Sequence, residues 1–249
     1  MSVARWQWPD APLRTSALGT GAVVLVGLVV FSTAAQSVLQ PGAHVPFAAG
    51  AFFAVLMLIA IGFLSGHHPF ASFGPANQVS TTRAALATLV CALAFEPPSL
   101  RVAGLAAAVA VAATLLDGLD GRLARQSGMS SAFGARFDLE IDALLIMALA
   151  VVAWRHDKAG PWVLLSGLMR YAFVAGSWVW PWLDRPLKPS VRRQAVCVIQ
   201  VGGLILTVLP PVVRPASAFI AAAALLVLTY SFLVDVNWLE RNRRDRSHA

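Results

Sequence analysis

The sequence predicts an all-α integral membrane protein with about eight transmembrane helices. Hydrophobic residues make up 58% of the 249 residues and charged residues only 12%, and the mean hydropathy is +0.70. Soluble domains carry roughly twice that share of charge, so a soluble enzyme, a disordered chain and a disulfide scaffold are excluded. Eight apolar segments, each near the roughly 20 residues that cross a bilayer, support the same class.

The apolar segments follow one another with short connections that contain proline or glycine. They cover residues 17–38, 47–65, 78–95, 100–125, 131–154, 161–182, 193–213 and 216–238. The first segment follows Arg5 and Arg14 and is similar to a signal peptide in that respect. Because its apolar run is too long for a typical signal peptide, we interpret it as a retained first helix.

Cations between the segments predict the orientation in the membrane. Nineteen Lys and Arg against twelve Asp and Glu give a net charge of +7. Nucleic-acid binding is the other interpretation, but positions between apolar segments favour topology signals, so no nucleic acid is expected. With a cytoplasmic N-terminus, all but four of the cations that we assign to a side of the membrane lie on the inner side. The inner cations include those of a basic tail at 241–249. The four outer cations are Arg101, Arg155, Lys158 and Arg214. Cys91 and Cys197 lie within apolar segments and are expected to be packing residues.

Four aspartates lie at the inner ends of two consecutive segments. Asp117 and Asp120 are three residues apart, and Asp138 and Asp142 are four apart, so each pair shares one helix face. The short turn 126–130 makes the two helices antiparallel neighbours, so all four carboxylates can converge. Such a cluster needs counter-charge, and oxygen ligands suit Mg²⁺, Mn²⁺ or Ca²⁺. Two such ions would suit phosphoryl transfer.

Small residues lie on or near the same faces. Gly121, Ala124 and Gly134 would allow a planar base or a pyrophosphate to approach the backbone. Glu140 lies on the opposite face from Asp138, and we expect it to form a structural ion pair with Arg136 four residues earlier.

The pattern from Asp117 through Asp120, Gly121, Ala124, Arg125, Gly134 and Asp138 to Asp142 resembles the signature of the CDP-alcohol phosphotransferases. The segment from Asn77 through Ser80 to Arg83 is similar to the Asn-x-x-Thr-x-x-Arg that opens the first core helix of that family. The resemblance covers roughly residues 75–240. It implies a six-helix core at 71–240, preceded by two additional helices in 1–70 and followed by the tail 241–249.

The resemblance also implies an activity and a set of site residues. The family transfers a phospho-alcohol group from a CDP-linked donor to a hydroxyl and releases CMP. By position, Asp117, Asp120, Asp138 and Asp142 resemble ligands of two Mg²⁺ or Mn²⁺ ions, and Asp142 also resembles the general base. Residues that resemble the nucleotide-binding set are Gly121, Ala124, Arg125, Gly134, Asn77 and Ser80.

The resemblance further implies CDP-diacylglycerol as the donor and a homodimer. The cation distribution predicts a site on the cytoplasmic side, and the membrane is expected to be a bacterial inner membrane, with its lipids as partners. The acceptor stays open among glycerol phosphate, inositol or its phosphate, serine, choline and a second lipid. An ion-coupled transporter and a non-catalytic scaffold are the alternative functions.

Three arginines are candidates for contact with a small polar or phosphorylated acceptor. Arg170 lies in the middle of a span, where a guanidinium must face the interior of the bundle. The alternative role for this residue is a structural ion pair with an acid in the interior. Arg192 and Arg193 enter the seventh span, where topology alone also explains them. His67 and His68 are expected in a solvated loop, because adjacent side chains diverge and no other ligand lies close in sequence.

Overall fold

The computed structural model describes residues 8–39, 42–184 and 190–247. Within these ranges the chain forms eight α-helices, two short 3₁₀ turns and no strand, which confirms the predicted fold class. The helices are α1 (Ala11–Leu39), α2 (Val45–Gly62), α3 (Pro75–Leu93), α4 (Leu100–Ser127), α5 (Ala132–Arg155), α6 (Leu165–Val179), α7 (Val191–Val208) and α8 (Ala216–Ser247).

Helix α3 lies at the centre of the bundle and packs against α1, α2, α4 and α5. Its buried face consists mainly of small residues, including Ala84, Ala85 and Ala87. Helix α4 presents a similar face with Ala103, Ala106, Ala107 and Ala110. Small side chains allow two helix backbones to approach closely, which stabilises helix packing where hydrocarbon surrounds the protein.

The α4–α5 turn has a capping residue at each of the two helix ends that it joins. Helix α4 ends at Gly128 with a φ of 65°, a left-handed conformation that glycine adopts without strain. Helix α5 begins after Ser131, whose hydroxyl accepts a hydrogen bond from the backbone N–H of Gly134 at 3.0 Å. These caps fix the antiparallel connection that brings the acidic ends of the two helices together.

In the described part of the chain, six helical segments are long and apolar enough to cross a membrane, with the 3₁₀ turn at Pro161–Leu164 counted together with α6. Helices α3 and α5 do not meet that criterion, although the sequence analysis counted both as spans. They carry the polar and charged residues at the centre of the bundle and are covered by the other helices. The protein is therefore an integral membrane protein in which α3 and α5 are largely buried within the helical bundle.

Several element boundaries differ from the predicted segments. Helix α1 begins at Ala11 rather than near residue 17, and α8 continues to Ser247, well beyond 238. The described part of the basic tail is thus a continuation of the last helix. The sixth segment, predicted as one span over 161–182, is a 3₁₀ turn, then α6, then a second 3₁₀ turn at Pro181–Asp184.

The two N-terminal helices share the hydrophobic core of the remaining bundle. At one end the buried carboxylate of Glu96 accepts a hydrogen bond from the N–H of Gly42 at 2.8 Å and lies 2.9 Å from Nε2 of His44. At the other end the N–H of Phe73 donates to the hydroxyl of Ser16. Both ends of the N-terminal hairpin are therefore connected to α3 or its flanking loops.

Candidate active site

Three of the four predicted aspartates meet in the described structure. Asp117 comes from the C-terminal half of α4, whereas Asp138 and Asp142 come from successive turns of α5. Carboxylate oxygens of the three residues lie within 4.8 Å of one another. Asp120 also lies on α4, but its side chain is outside the described part of the structure, as are those of Ala124 and Arg125.

Arg83 of α3 provides the counter-charge of this cluster, a role that the sequence analysis did not assign. Its side chain is 2% exposed, and its NH2 nitrogen lies 2.6 Å from Asp117 Oδ1 and 2.6 Å from Asp142 Oδ1. Its NH1 nitrogen donates to Asp138. One guanidinium therefore joins all three carboxylates across three helices. A buried charge of this kind is stable only with such partners.

The donor set fits a hard divalent cation. It consists of carboxylate oxygens alone, which Mg²⁺ and Mn²⁺ prefer, and the spacing of the three groups allows them to share an ion. Asp117 and Asp138 are each 37% exposed, so the cluster has access to solvent on one side although Arg83 does not.

A cavity of about 200 Å³ opens beside Asp138. We call it the α3–α5 cavity, because residues of α3, α4 and α5 line it. It brings together four of the six residues that the resemblance assigns to the nucleotide, namely Asn77, Ser80, Gly121 and Gly134. The remaining two, Ala124 and Arg125, are those whose side chains lie outside the described residues.

Gly134 allows α5 to approach α3 at this cavity. A Cβ atom at this position would lie 3.0 Å from Asn77 Oδ1 and 3.4 Å from Ser131 Oγ. Asn77 has little freedom to yield, because its Nδ2 donates to the carbonyl of Phe73 at 2.6 Å and its residue is 4% exposed. The glycine is therefore required by the close contact of the two helices.

A second cavity, of about 350 Å³, opens on the other side of α5. We call it the α5–α8 cavity, because α5, α6, α7 and α8 line it. Asp142 lies in its wall together with Arg170, Arg193 and Asp235, and the rest of the wall is largely apolar. The thiol of Cys197 donates to Asp142 Oδ2 at 3.4 Å from α7. Asp138 and Asp142 thus face two different cavities that meet at the carboxylate cluster.

The three candidate arginines have acidic partners. Arg192 donates to the carbonyl of Ser231 at 2.7 Å and to Asp235, and Arg193 NH1 lies 3.3 Å from Asp235 Oδ1. Arg170 pairs with Glu140. The expected pair of Glu140 with Arg136 is therefore wrong: Glu140 turns toward α6, where Arg170 provides a partner from another helix.

The expectation of a solvated loop is also wrong for His68. This residue is 6% exposed, with Nδ1 3.1 Å from the Ser131 hydroxyl and Nε2 2.9 Å from the Ser72 carbonyl. Its ring packs against Phe73 and Phe133. The α2–α3 loop therefore folds over the start of α5, which adjacent histidines in a sequence do not reveal.

These features define a helical membrane protein with a carboxylate centre between two cavities. The chain belongs to the CDP-alcohol phosphatidyltransferase family, which it matches over residues 73–234, or 162 of its 249 residues. Comparison with curated proteins and with solved structures gave no match. Membership implies phosphotransfer from a CDP-linked alcohol to a hydroxyl acceptor, in a family that is generally dependent on divalent metal.

Proposed function

We propose that the protein transfers a phosphatidyl group from a CDP-linked lipid, CDP-diacylglycerol, to the hydroxyl of a polar acceptor and releases CMP in phospholipid biosynthesis. The observation that carries this proposal is the carboxylate cluster at the junction of two cavities, on helices within the family match. One cavity offers space for a donor beside Asp138, and the other offers space for an acceptor beside Asp142.

The reaction requires one proton acceptor and one leaving group. The acceptor hydroxyl attacks the phosphorus that bears the lipid, a new P–O bond forms, and the P–O bond to CMP breaks. Asp142 is the residue to which we assign the hydroxyl proton, because it lines the α5–α8 cavity and its Oδ1 is held 2.6 Å from Arg83. CMP leaves from the α3–α5 cavity.

We assign the metal to Asp117, Asp138 and Asp142, with Asp120 as a further ligand from α4. When bound, two Mg²⁺ or Mn²⁺ ions would neutralise the pyrophosphate and stabilise CMP as a leaving group. Arg83 adds a fixed positive charge beneath these carboxylates and holds their oxygens in one place. The nucleotide set comprises Asn77, Ser80, Gly121 and Gly134, together with Ala124 and Arg125.

We further propose that the acceptor carries negative charge. Arg170 and Arg193 line the α5–α8 cavity with Asp142, and Arg192 supports Asp235 from behind. The cavity wall carries Arg170 and Arg193 against Asp235 and Asp142, which leaves one positive charge in excess once Asp142 takes up the proton or binds metal. A phosphorylated alcohol would complement that charge.

The cation distribution supports a location of the site on the cytoplasmic side of a bacterial inner membrane, with both termini inside. The resemblance alone supports a homodimer. The division into an N-terminal segment 1–70, a catalytic core 71–240 and a tail 241–249 stays a prediction.

CMP release from purified protein in detergent tests the proposal. CDP-diacylglycerol is supplied with Mg²⁺ and with glycerol phosphate, inositol phosphate, inositol, serine or choline in turn. We expect release only with one acceptor class, favouring a phosphorylated alcohol, and loss of release in EDTA. Release in EDTA would contradict the metal assignment. Absence of release with every acceptor, together with ion or solute flux in proteoliposomes, would favour a transporter.

A further inference from the structure

A third cavity lies outside the proposed catalytic centre, between the N-terminal hairpin and the core. It has a volume of about 610 Å³ and is lined by residues of α2, the α2–α3 loop, α5 and α6. We call it the α2–α6 groove. Its α5 residues Arg136 and Glu140 are two positions away from Asp138 in either direction, so they project from the opposite face of the helix. The groove therefore faces away from the carboxylate cluster.

The polarity of the groove changes along its length. At the end where α2 finishes and α5 begins, its wall includes His67, Arg136 and Trp178. Farther along the helices the wall includes Leu56, Ile59 and Leu144, and Glu140 and Tyr171 add two polar side chains to it. Arg136 and Leu144 are eight residues apart on α5, a rise of roughly 12 Å. A polar mouth and an apolar interior of this length match a phospholipid headgroup and the first part of its acyl chain.

The charge of the mouth is set by Arg136. Glu140 is the nearest acid on the same helix face, but it pairs with Arg170 of α6. Among the side chains that the structure describes, which do not include those of Asp120, Asp184 and Asp245, no carboxylate lies within ion-pair distance of Arg136, whose side chain is exposed. An exposed cation above an apolar groove is complementary to a lipid phosphate.

We propose that the α2–α6 groove binds an anionic phospholipid of the surrounding bilayer, with the lipid phosphate on Arg136 and an acyl chain along α2. The site is separate from the donor and acceptor cavities, and the proposal does not depend on the transfer reaction. It gives the additional helix α2 a role, because α2 forms one wall of the groove.

The test compares lipid binding in two variants, each of which replaces one arginine of α5 by neutral glutamine. Arg136→Gln removes the groove cation, and Arg155→Gln removes an exposed arginine at the opposite end of α5. Each protein is purified in neutral detergent with EDTA and without nucleotide, so that metal at the carboxylates cannot hold lipid. Phosphatidylglycerol or phosphatidylcholine with matched acyl chains is added, and the thermal unfolding midpoint is followed.

Phosphatidylglycerol should stabilise the wild type and Arg155→Gln more than phosphatidylcholine does. In Arg136→Gln this difference should disappear, with the half-effective lipid concentration raised about fivefold, whereas Arg136→Lys should retain most of it. Native mass spectrometry should detect a retained anionic lipid in the wild type and its loss in Arg136→Gln. Equal stabilisation of Arg136→Gln and wild type, or a second copy of the chain seated in a lipid-free groove, would overturn the proposal.

Discussion

At the residue scale, Arg83 explains how three carboxylates can lie together inside a helical bundle. It is 2% exposed and contacts Asp117, Asp138 and Asp142 from a third helix. Without it, the three carboxylates would lose the guanidinium that contacts each of them. Arg83 and divalent metal therefore neutralise the same negative charges.

Replacement of Arg83 by glutamine should destabilise the metal-free protein by up to about 3 kcal/mol, because Asp142 loses a buried partner while the partly exposed Asp117 and Asp138 are screened by solvent. Addition of Mg²⁺ should raise the unfolding midpoint of Arg83→Gln more than that of the wild type. The measurement is thermal unfolding in detergent with EDTA or with Mg²⁺, and Arg155→Gln is the charge-matched control. Equal stability of Arg83→Gln and wild type in EDTA would remove Arg83 from this role.

A single methyl group at Gly134 should disturb the α3–α5 cavity. In Gly134→Ala the new Cβ would lie 3.0 Å from Asn77 Oδ1, and Asn77 is held by its bond to Phe73. We expect the donor KM to rise severalfold while the acceptor KM is unchanged. Gly202→Ala on α7 is the control, because no atom lies within 4 Å of its added Cβ. Unchanged kinetics for Gly134→Ala would exclude this cavity as the donor site.

The sequence predicted part of this residue-level arrangement and not the rest. The spacing of Asp138 and Asp142 and the short α4–α5 turn were sufficient to bring the acids together, because those relations are local. The role of Arg83 and the pairing of Arg170 with Glu140 depend on which helices become neighbours. A lone arginine among small residues of a membrane helix was the available signal for Arg83.

At the scale of elements, the start of α5 is held by a loop from outside the family match. His68 contacts the Ser131 hydroxyl, and Ser131 in turn caps the N–H of Gly134. The loop thus supports the first turn of the helix that carries Asp138 and Asp142. The sequence predicted the short turn before α5 but neither the cap at Ser131 nor its contact with His68, because an irregular loop has no periodic pattern that predicts its fold.

His68→Phe would keep the aromatic packing and remove both hydrogen bonds of the ring. We expect a loss of about 1–3 kcal/mol in stability, since Ser131 and the Ser72 carbonyl lose a buried partner. The donor KM should rise while the acceptor KM stays constant, and His68→Gln should restore part of the difference. These values come from unfolding curves and two-substrate kinetics. A loss of stability without a change in donor KM would limit His68 to packing of the loop.

At the scale of the whole molecule, the α5–α6 connection contacts the α7–α8 connection at the end of the bundle opposite the carboxylates. Lys158 is 7% exposed and its Nζ donates to the carbonyls of Leu209 at 3.1 Å and Pro210 at 3.2 Å after α7. The sequence analysis counted Lys158 only as an outer topology signal. Its contacts give it a structural role that composition does not indicate, because they depend on two loops that are distant in sequence.

The same connection predicts a dependence of stability on pH. Burial, with added effects of Lys158 and Arg155, lowers the pKa of His156 below its ordinary value, and its buried Nε2 has no hydrogen-bond partner among the described residues. The unfolded chain therefore takes up a proton at a higher pH than the folded protein. Stability should fall as pH decreases below about 6.5, until the lower folded pKa is passed.

Thermal unfolding midpoints between pH 7.5 and pH 5 measure this effect. The decrease should be smaller in His156→Gln, which cannot take up the proton. Identical pH profiles for the variant and the wild type would show that His156 is not responsible for the decrease.

The proposed function requires that the carboxylates of α4 and α5 perform a CMP-releasing transfer. The most direct measurement is CMP release from CDP-diacylglycerol by purified Asp117→Asn, Asp138→Asn and Asp142→Asn, beside Asp157→Asn as control. Asp157 lies in an exposed loop with a φ of 55°, which asparagine accepts readily. The three cluster variants should lose at least about a hundredfold in rate while remaining folded, and Asp157→Asn should match the wild type. Near-normal release by any folded cluster variant would contradict the claim.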